Sequence, residues 1–153
     1  MDKILDVTLE LPARSPDRLG KTAQENLRIV EQAYEDQLAG DNDALFKIMA
    51  PDVRFREAPG LPYAIDVTGL EETKRGVAGM LHNWKKQHVR IVDYMAGGDT
   101  VIAYIEQSCI SHSGKPYNGF VAEIFRFRDG KVYEWHPIYW DTHGVRQAIG
   151  EGD

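Results

Sequence analysis

The hydrophobic pattern changes period near Trp84. Before it, apolar residues recur every three or four positions; after it, they alternate with polar ones. The first half therefore reads as helical and the second as strands. Ala23, Leu27, Val30, Tyr34 and Leu38 form one helical stripe, opened by a capping box at Thr22-Ala-Gln-Glu25 and stopped by Gly40. Asp41 can cap a shorter helix that turns Leu45, Phe46, Ile48 and Met49 inward, and Pro51 prevents its continuation. A short strand, Val53–Ala58, has Val53, Phe55 and Glu57 on one side and Arg54 and Arg56 on the other. After the loop Pro59-Gly-Leu-Pro62, a second box at Thr68-Gly-Leu-Glu71 opens a helix burying Leu70, Val77, Met80, Leu81 and Trp84.

Everything after Trp84 reads as strand. Val89–Met95 turns at Gly97-Gly98-Asp99 into Thr100–Ser111, which turns at Ser113-Gly-Lys-Pro116 into Tyr117–Arg128. Asp129-Gly130 then closes a hairpin within Phe120–Asp141, the stretch that organises the chain. Alternation splits this hairpin into two sets. Val121, Glu123, Phe125 and Phe127 would share a face with Glu134, His136, Ile138 and Trp140; Ala122, Ile124, Arg126, Tyr133, Trp135, Pro137 and Tyr139 would share the other. Three helices followed by an antiparallel meander predict an α+β fold with helices on one face of the sheet. His143–Ile149 adds a short helical turn. Residues 1–20, with Ile4, Val7, Leu9 and Leu11, read as an N-terminal arm on a single domain spanning 21–153.

Composition narrows the partner. The 153 residues are 42% hydrophobic and 27% charged, as in one soluble globular domain. A net charge of -6 with scattered Lys and Arg argues against nucleic acid. No run is long enough to span a membrane and MDKILDVTLE lacks a secretory core, so a cytoplasmic location is expected. Cys109, the one cysteine, excludes an intrachain disulfide and reads as a packed small hydrophobe.

The candidate chemistry is carboxylate chemistry. A turn at Ser113–Pro116 would place Ile102, Tyr104, Glu106 and Ser108 on the face of Glu123 and His136. Glu57, Glu106, Glu123 and His136 would then share one concave site. Carboxyls among Phe55, Trp84, Phe125 and Trp140 lose hydration and repel one another, which raises their pKa values. The same residues could instead form a satisfied buried network. Absence of HxH, HxxxH or HxxE spacing leaves no metal site to assign, and no cofactor is expected. His82 and His88 fall off the helical stripe and read as solvated. The aromatics Tyr34, Tyr63, Trp84, Tyr104 and Trp140 are either core or the walls of a site for a flat apolar ligand.

Several local strings resemble one family: Tyr34…Ala39-Gly40-Asp41…Ala44-Leu45, Glu57-Ala-Pro-Gly60, Ser113-Gly-Lys-Pro116, Glu123-Ile-Phe-Arg-Phe127, Gly130-Lys131-Val132 and Ile138-Tyr139-Trp140. Over about residues 22–145 the chain resembles the SnoaL-like and ketosteroid-isomerase-like enzymes of the superfamily named for a nuclear transport factor. The resemblance implies a cone-shaped, curved antiparallel sheet wrapped around three N-terminal helices. It implies that Glu57 shuttles a proton and that Glu123, protonated, donates to a developing enolate oxygen. The family's helix-one tyrosine falls on Ala33, one residue before Tyr34, which leaves that oxyanion partner unmatched.

The sequence thus leads to a small-molecule enzyme acting beside a carbonyl of a polyketide-, terpenoid- or steroid-like compound, by isomerisation, aldol cyclisation or dehydration. Glu57 or His136 would be the base and Glu123 the acid. Tyr34, Phe55, Trp84, Tyr104, Glu106, Phe125, Ile138 and Trp140 would line the substrate. The rivals are a non-catalytic binding protein for a small apolar ligand and an assembly subunit. A homodimer is expected through the back of the sheet, by Val101, Ala103, Ile105, Cys109, Ala122, Ile124, Tyr133, Trp135 and Tyr139, unless the N-terminal arm covers that face.

Overall fold

The computed structural model describes residues 10–12 and 17–150. Ile4, Val7 and Leu9 of the expected arm lie outside the described residues, and Leu11 is exposed. Helix α1 (Lys21–Leu38) starts one residue before Thr22, with Gly20 at its N-cap and no side-chain cap, so the expected capping box does not form. Gly40, at φ 111°, ends it in the left-handed region that favours glycine. The face that α1 buries is Ala23, Asn26, Val30 and Ala33, small enough to press closely on the sheet. Leu38, expected inside, is 91% exposed.

Helix α2 is a single turn (Ala44–Lys47), and Met49 opens strand β1 (Met49–Arg56) instead of continuing it. Strand β2 (Asp66–Thr68) follows, then α3 (Leu70–His82), whose N-cap is Gly69 and not Thr68. The Thr73 hydroxyl donates to the Gly69 carbonyl at 2.8 Å. Gly76 lets α3 lie against β1: a Cβ there would sit 3.2 Å from Phe55 Cε1. Leu81 is exposed, and Trp84 leaves the helix to begin β3.

Strands β3 (Trp84–Gly97), β4 (Thr100–Ser111), β5 (Pro116–Arg128) and β6 (Lys131–Tyr139) form the meander, closed by α4 (Thr142–Ile149). The sheet has six strands in the order β2-β1-β6-β5-β4-β3; it is curved and unclosed, with helices at its N-terminal end. Its pairs are antiparallel apart from β1 with β6, which is parallel.

Two one-residue details reverse the expected faces. Asp129 and Gly130, at φ 52° and 75°, make the two-residue hairpin turn, but β6 then carries an extra residue. Phe127 pairs with Val132 while Arg126 pairs with Glu134, so Tyr133 bulges and every later residue of β6 changes side. Glu123 therefore faces Pro137, and Phe125 faces Trp135. At the other turn the closure is tighter than expected: Ser111 N–H donates to Lys115 O at 2.9 Å, leaving three loop residues with Gly114 at φ 86°. This odd loop sets Ala103 opposite Glu123 and turns Tyr104 and Glu106 away.

The concave face therefore holds the core. Phe55 packs on Trp135 at 4.9 Å between ring centroids, and Trp135 stacks on Phe125 at 5.8 Å. Val101, Ala103, Ile105, Cys109, Trp135 and Tyr139, expected on the back, are buried here.

Candidate active site

A cavity of ≈ 790 Å³ lies between the concave face and helices α1, α2 and α3. Leu45, Val77, Met80, Ile91 and Ile105 make much of its wall, and Tyr34, Glu57, Gln107, Glu123 and Tyr139 bring polar atoms to it. Exposed Leu38, Leu81 and Val89 stand around its mouth.

Alternation along β5 presents Glu123 to the cavity, and its short cross-strand neighbours Ala103 and Pro137 leave its carboxyl room. From α1, the Tyr34 hydroxyl donates to Glu123 Oε2 in a short hydrogen bond. The Trp135 indole N–H also favours the charged carboxylate, though it does not reach hydrogen-bonding geometry with any partner. Burial outweighs both donors and pushes the Glu123 pKa up to about 7. Tyr34 itself is held well above the usual phenol range, by burial first and the Glu123 charge second.

Glu57 follows the last residue of β1 and continues its inward face, at 5% exposure. Its backbone N–H donates to Ile65 O at 2.8 Å, while its Oε2 is buried without a hydrogen-bond partner. Burial, and then repulsion from Glu123, push its pKa up to about 8. Two phenols adjoin it. Tyr63 O–H donates to the Tyr139 oxygen at 3.2 Å, and the Glu57 charge raises both of their pKa values after burial has done so. Two carboxyls thus share a buried site, one held by a phenol donor and the other not. Such a pair keeps a proton near neutrality that it can deliver or take back.

The expected candidates divide by the register. Glu57, Glu123 and Tyr34 meet at the cavity. Phe55 and Phe125 lie fully buried behind its surface, and Trp84 stacks on Tyr117 at 5.8 Å. His136, Tyr104, Glu106, Ile138 and Trp140 stand on the opposite face, contrary to the expectation that they share the site with Glu123. There Glu106 accepts from Arg90 Nε at 2.7 Å, and His136 is pulled down by burial first and the Arg56 charge second. A phenol of α1 does reach Glu123: it is that of Tyr34, one residue after Ala33. Gln107, Trp135, Pro137 and Tyr139 line the cavity too, turned inward by a register that is the reverse of the one expected. Among the described residues no three His, Cys, Asp or Glu side chains converge as metal ligands. No helix among them is long and apolar enough to cross a membrane.

The fold is shared with known proteins. No curated protein sequence matches the chain. Among solved structures, an NTF2-like protein from Burkholderia thailandensis is 27% identical, with 81% of this chain and 96% of that one covered at a TM-score of 0.74. TerC, co-crystallised with polyporic acid, is 19% identical over 82% of this chain and 98% of its own, at a TM-score of 0.72. An LEH-like epoxide hydrolase from M. tuberculosis is 19% identical over 86% and 94%, at a TM-score of 0.62. The fold is thus one used for small-molecule enzymes. A family model for the SnoaL-like domain matches residues 30–135, which hold α1 from Val30 onward, the sheet as far as Trp135 and both cavity carboxyls, and the chain belongs to that family.

Proposed function

We propose that the protein is a small-molecule enzyme that moves a proton beside a carbonyl of an apolar polyketide-, terpenoid- or steroid-like compound. The observation that carries this reading is the unequal carboxyl pair, Glu57 and Glu123, at one apolar cavity. The resemblance assigns the base to Glu57 and the acid to Glu123. The hydrogen bonding supports the opposite division: Tyr34 favours the charged form of Glu123, whereas the partnerless Glu57 keeps its proton to the higher pH. In this scheme ionised Glu123 takes a proton from the carbon next to the carbonyl. The C–H electron pair becomes the C=C of an enolate, and protonated Glu57 donates to its oxygen. Returning the proton at another carbon isomerises; attack of the enolate carbon on a second carbonyl cyclises; loss of a β-hydroxyl as water dehydrates. Tyr34 is a positioning residue, holding one oxygen of Glu123 so that the other faces the substrate.

Deuterium exchange tests the common first step. With the apolar bicyclic ketone β-tetralone in deuterium oxide, the wild type is expected to exchange the α-hydrogens faster than buffer, by proton NMR. Glu123→Gln should lose on the order of 100-fold of that rate. Binding without exchange would move the protein to the non-catalytic rival, and neither binding nor exchange to the assembly subunit.

We also propose that the outer face of the sheet forms a homodimer. The corrected register gives that face Ile102, Tyr104, Phe120, Ile124, Ile138 and Trp140, with Trp140 85% exposed and Tyr104 stacked on Phe120 at 5.4 Å. An apolar face with an exposed Trp is the composition of an interface centre.

A further inference from the structure

The concave side of β4 reads Val101, Ala103, Ile105, Gln107, Cys109. Gln107 breaks that series. It is 5% exposed, it lines the cavity, and among the described residues its side chain makes no hydrogen bond. A primary amide offers two donors and an acceptor, and those of Gln107 are neither paired nor fully enclosed, so they are open to the cavity. Leu or Met would fill the same volume and continue the apolar series, so packing gives no reason for the amide. Gln87 lies diagonally across from it, opposite Cys109 on β3; it also lines the cavity and makes no side-chain hydrogen bond among the described residues.

The register measures how far this polar spot lies from the carboxyls. Glu123 faces Ala103, and Gln107 is four residues further along β4, opposite Gly119. At about 3.4 Å per residue the two rows are roughly 14 Å apart, or on the order of 10 Å once both side chains lean inward. The row between them is apolar: Ile91, Ile105 and Val121. The cavity has two polar ends and an apolar middle.

We propose that Gln107 anchors the far end of the substrate. Resting on the acid–base reading above, this narrows the substrate class to elongated, flat, mostly apolar molecules of several rings. One end carries the reacting carbonyl, and the other, on the order of 10 Å away, carries a hydroxyl or carbonyl oxygen bonded to the Gln107 amide.

Two rigid phenols, whose planar C–O group mimics an enol, test this by calorimetry. Para-phenylphenol has one oxygen; para,para′-biphenol has one at each end. The wild type should bind the biphenol about tenfold more tightly, beyond the statistical factor of its two equivalent ends, as expected for one hydrogen bond. Gln107→Leu should bind both alike. Gln107→Met provides a second, unbranched variant of similar volume. In the nitrogen-labelled wild type the Gln107 side-chain NH₂ resonances should shift with the biphenol and stay with the phenylphenol. A preference that survives in both variants, or unshifted amide resonances, overturns the anchor. Equal binding of the two phenols by the wild type, with both weakened by Glu123→Gln, overturns it and leaves the acid–base reading standing. Failure of either phenol to bind at all overturns both.

Discussion

Glu57 and Glu123 pay the same cost, loss of water, and differ in what replaces it. Glu123 receives the Tyr34 hydroxyl; Glu57 Oε2 receives nothing from the protein. That difference makes folding stability depend on pH in a definite direction. Both folded pKa values lie above the ordinary 4.5, at about 8 and about 7, so between those limits the folded state binds more protons than the unfolded one. Stability then falls as pH rises from about 4.5 to about 8, the reverse of a salt-bridged carboxylate. Glu57→Gln removes the larger part of this slope. Its melting temperature should match the wild type near pH 4 and exceed it near pH 8, by calorimetry across that range. Equal melting curves at the alkaline end would mean that Glu57 does not carry a raised pKa.

Among the elements, the β5–β6 hairpin decides which side chains meet. Its turn is legible in Asp129-Gly130, yet Tyr133, the extra residue just beyond, determines the face of everything that follows. With the bulge, Trp135, Pro137 and Tyr139 turn inward beside Glu123; with Tyr133 paired to Arg126 instead, Glu134, His136 and Ile138 would. Deleting Tyr133 should therefore leave those faces unchanged, because it removes only the residue that has no partner on β5. Phe127 would still oppose Val132 and Arg126 would still oppose Glu134, so the expected outcome is a cooperative thermal transition by circular dichroism, as in the wild type. Tyr133→Ala keeps the register and gives up the ring that Arg126 and Arg128 cover, at 5.5 and 5.2 Å from its centroid. It should fold, with a loss of about 1 kcal/mol. Loss of the transition in the deletion variant would show that Tyr133 is not the extra residue.

At the scale of the whole molecule, the sheet has two uses. Its concave face, with the helices, encloses the cavity; its outer face keeps an apolar area that no described helix covers. Among the hydrophobics on that face Trp140 is the most exposed, so it is the residue to change: Trp140→Glu should give a monomer at micromolar concentration where the wild type sediments as a dimer. Tyr104→Glu, on the stack with Phe120, should weaken the dimer as well. A wild type that sediments as a monomer would end the dimer proposal without touching the cavity.

The helical-then-strand order, the turn at Asp129-Gly130, the boundaries of β4 and the inward side of β1 were all legible along the chain, because each rests on backbone geometry within a few residues. So were Glu57, Glu123 and Tyr34 as unusual residues, since a carboxylate or a phenol within an apolar series stands out locally. What joined them was not legible. That Tyr34 reaches Glu123, that Gln107 and Tyr139 stand in the cavity, and that His136 and Glu106 stand behind it all depend on how one strand meets the next. A side-chain period of two means that one residue in a bulge or a loop reverses a whole strand. Packing makes that choice, by burying Phe55, Trp135 and Phe125 in one stack and leaving the ion pairs of Arg54, Arg56 and Arg90 to the water side.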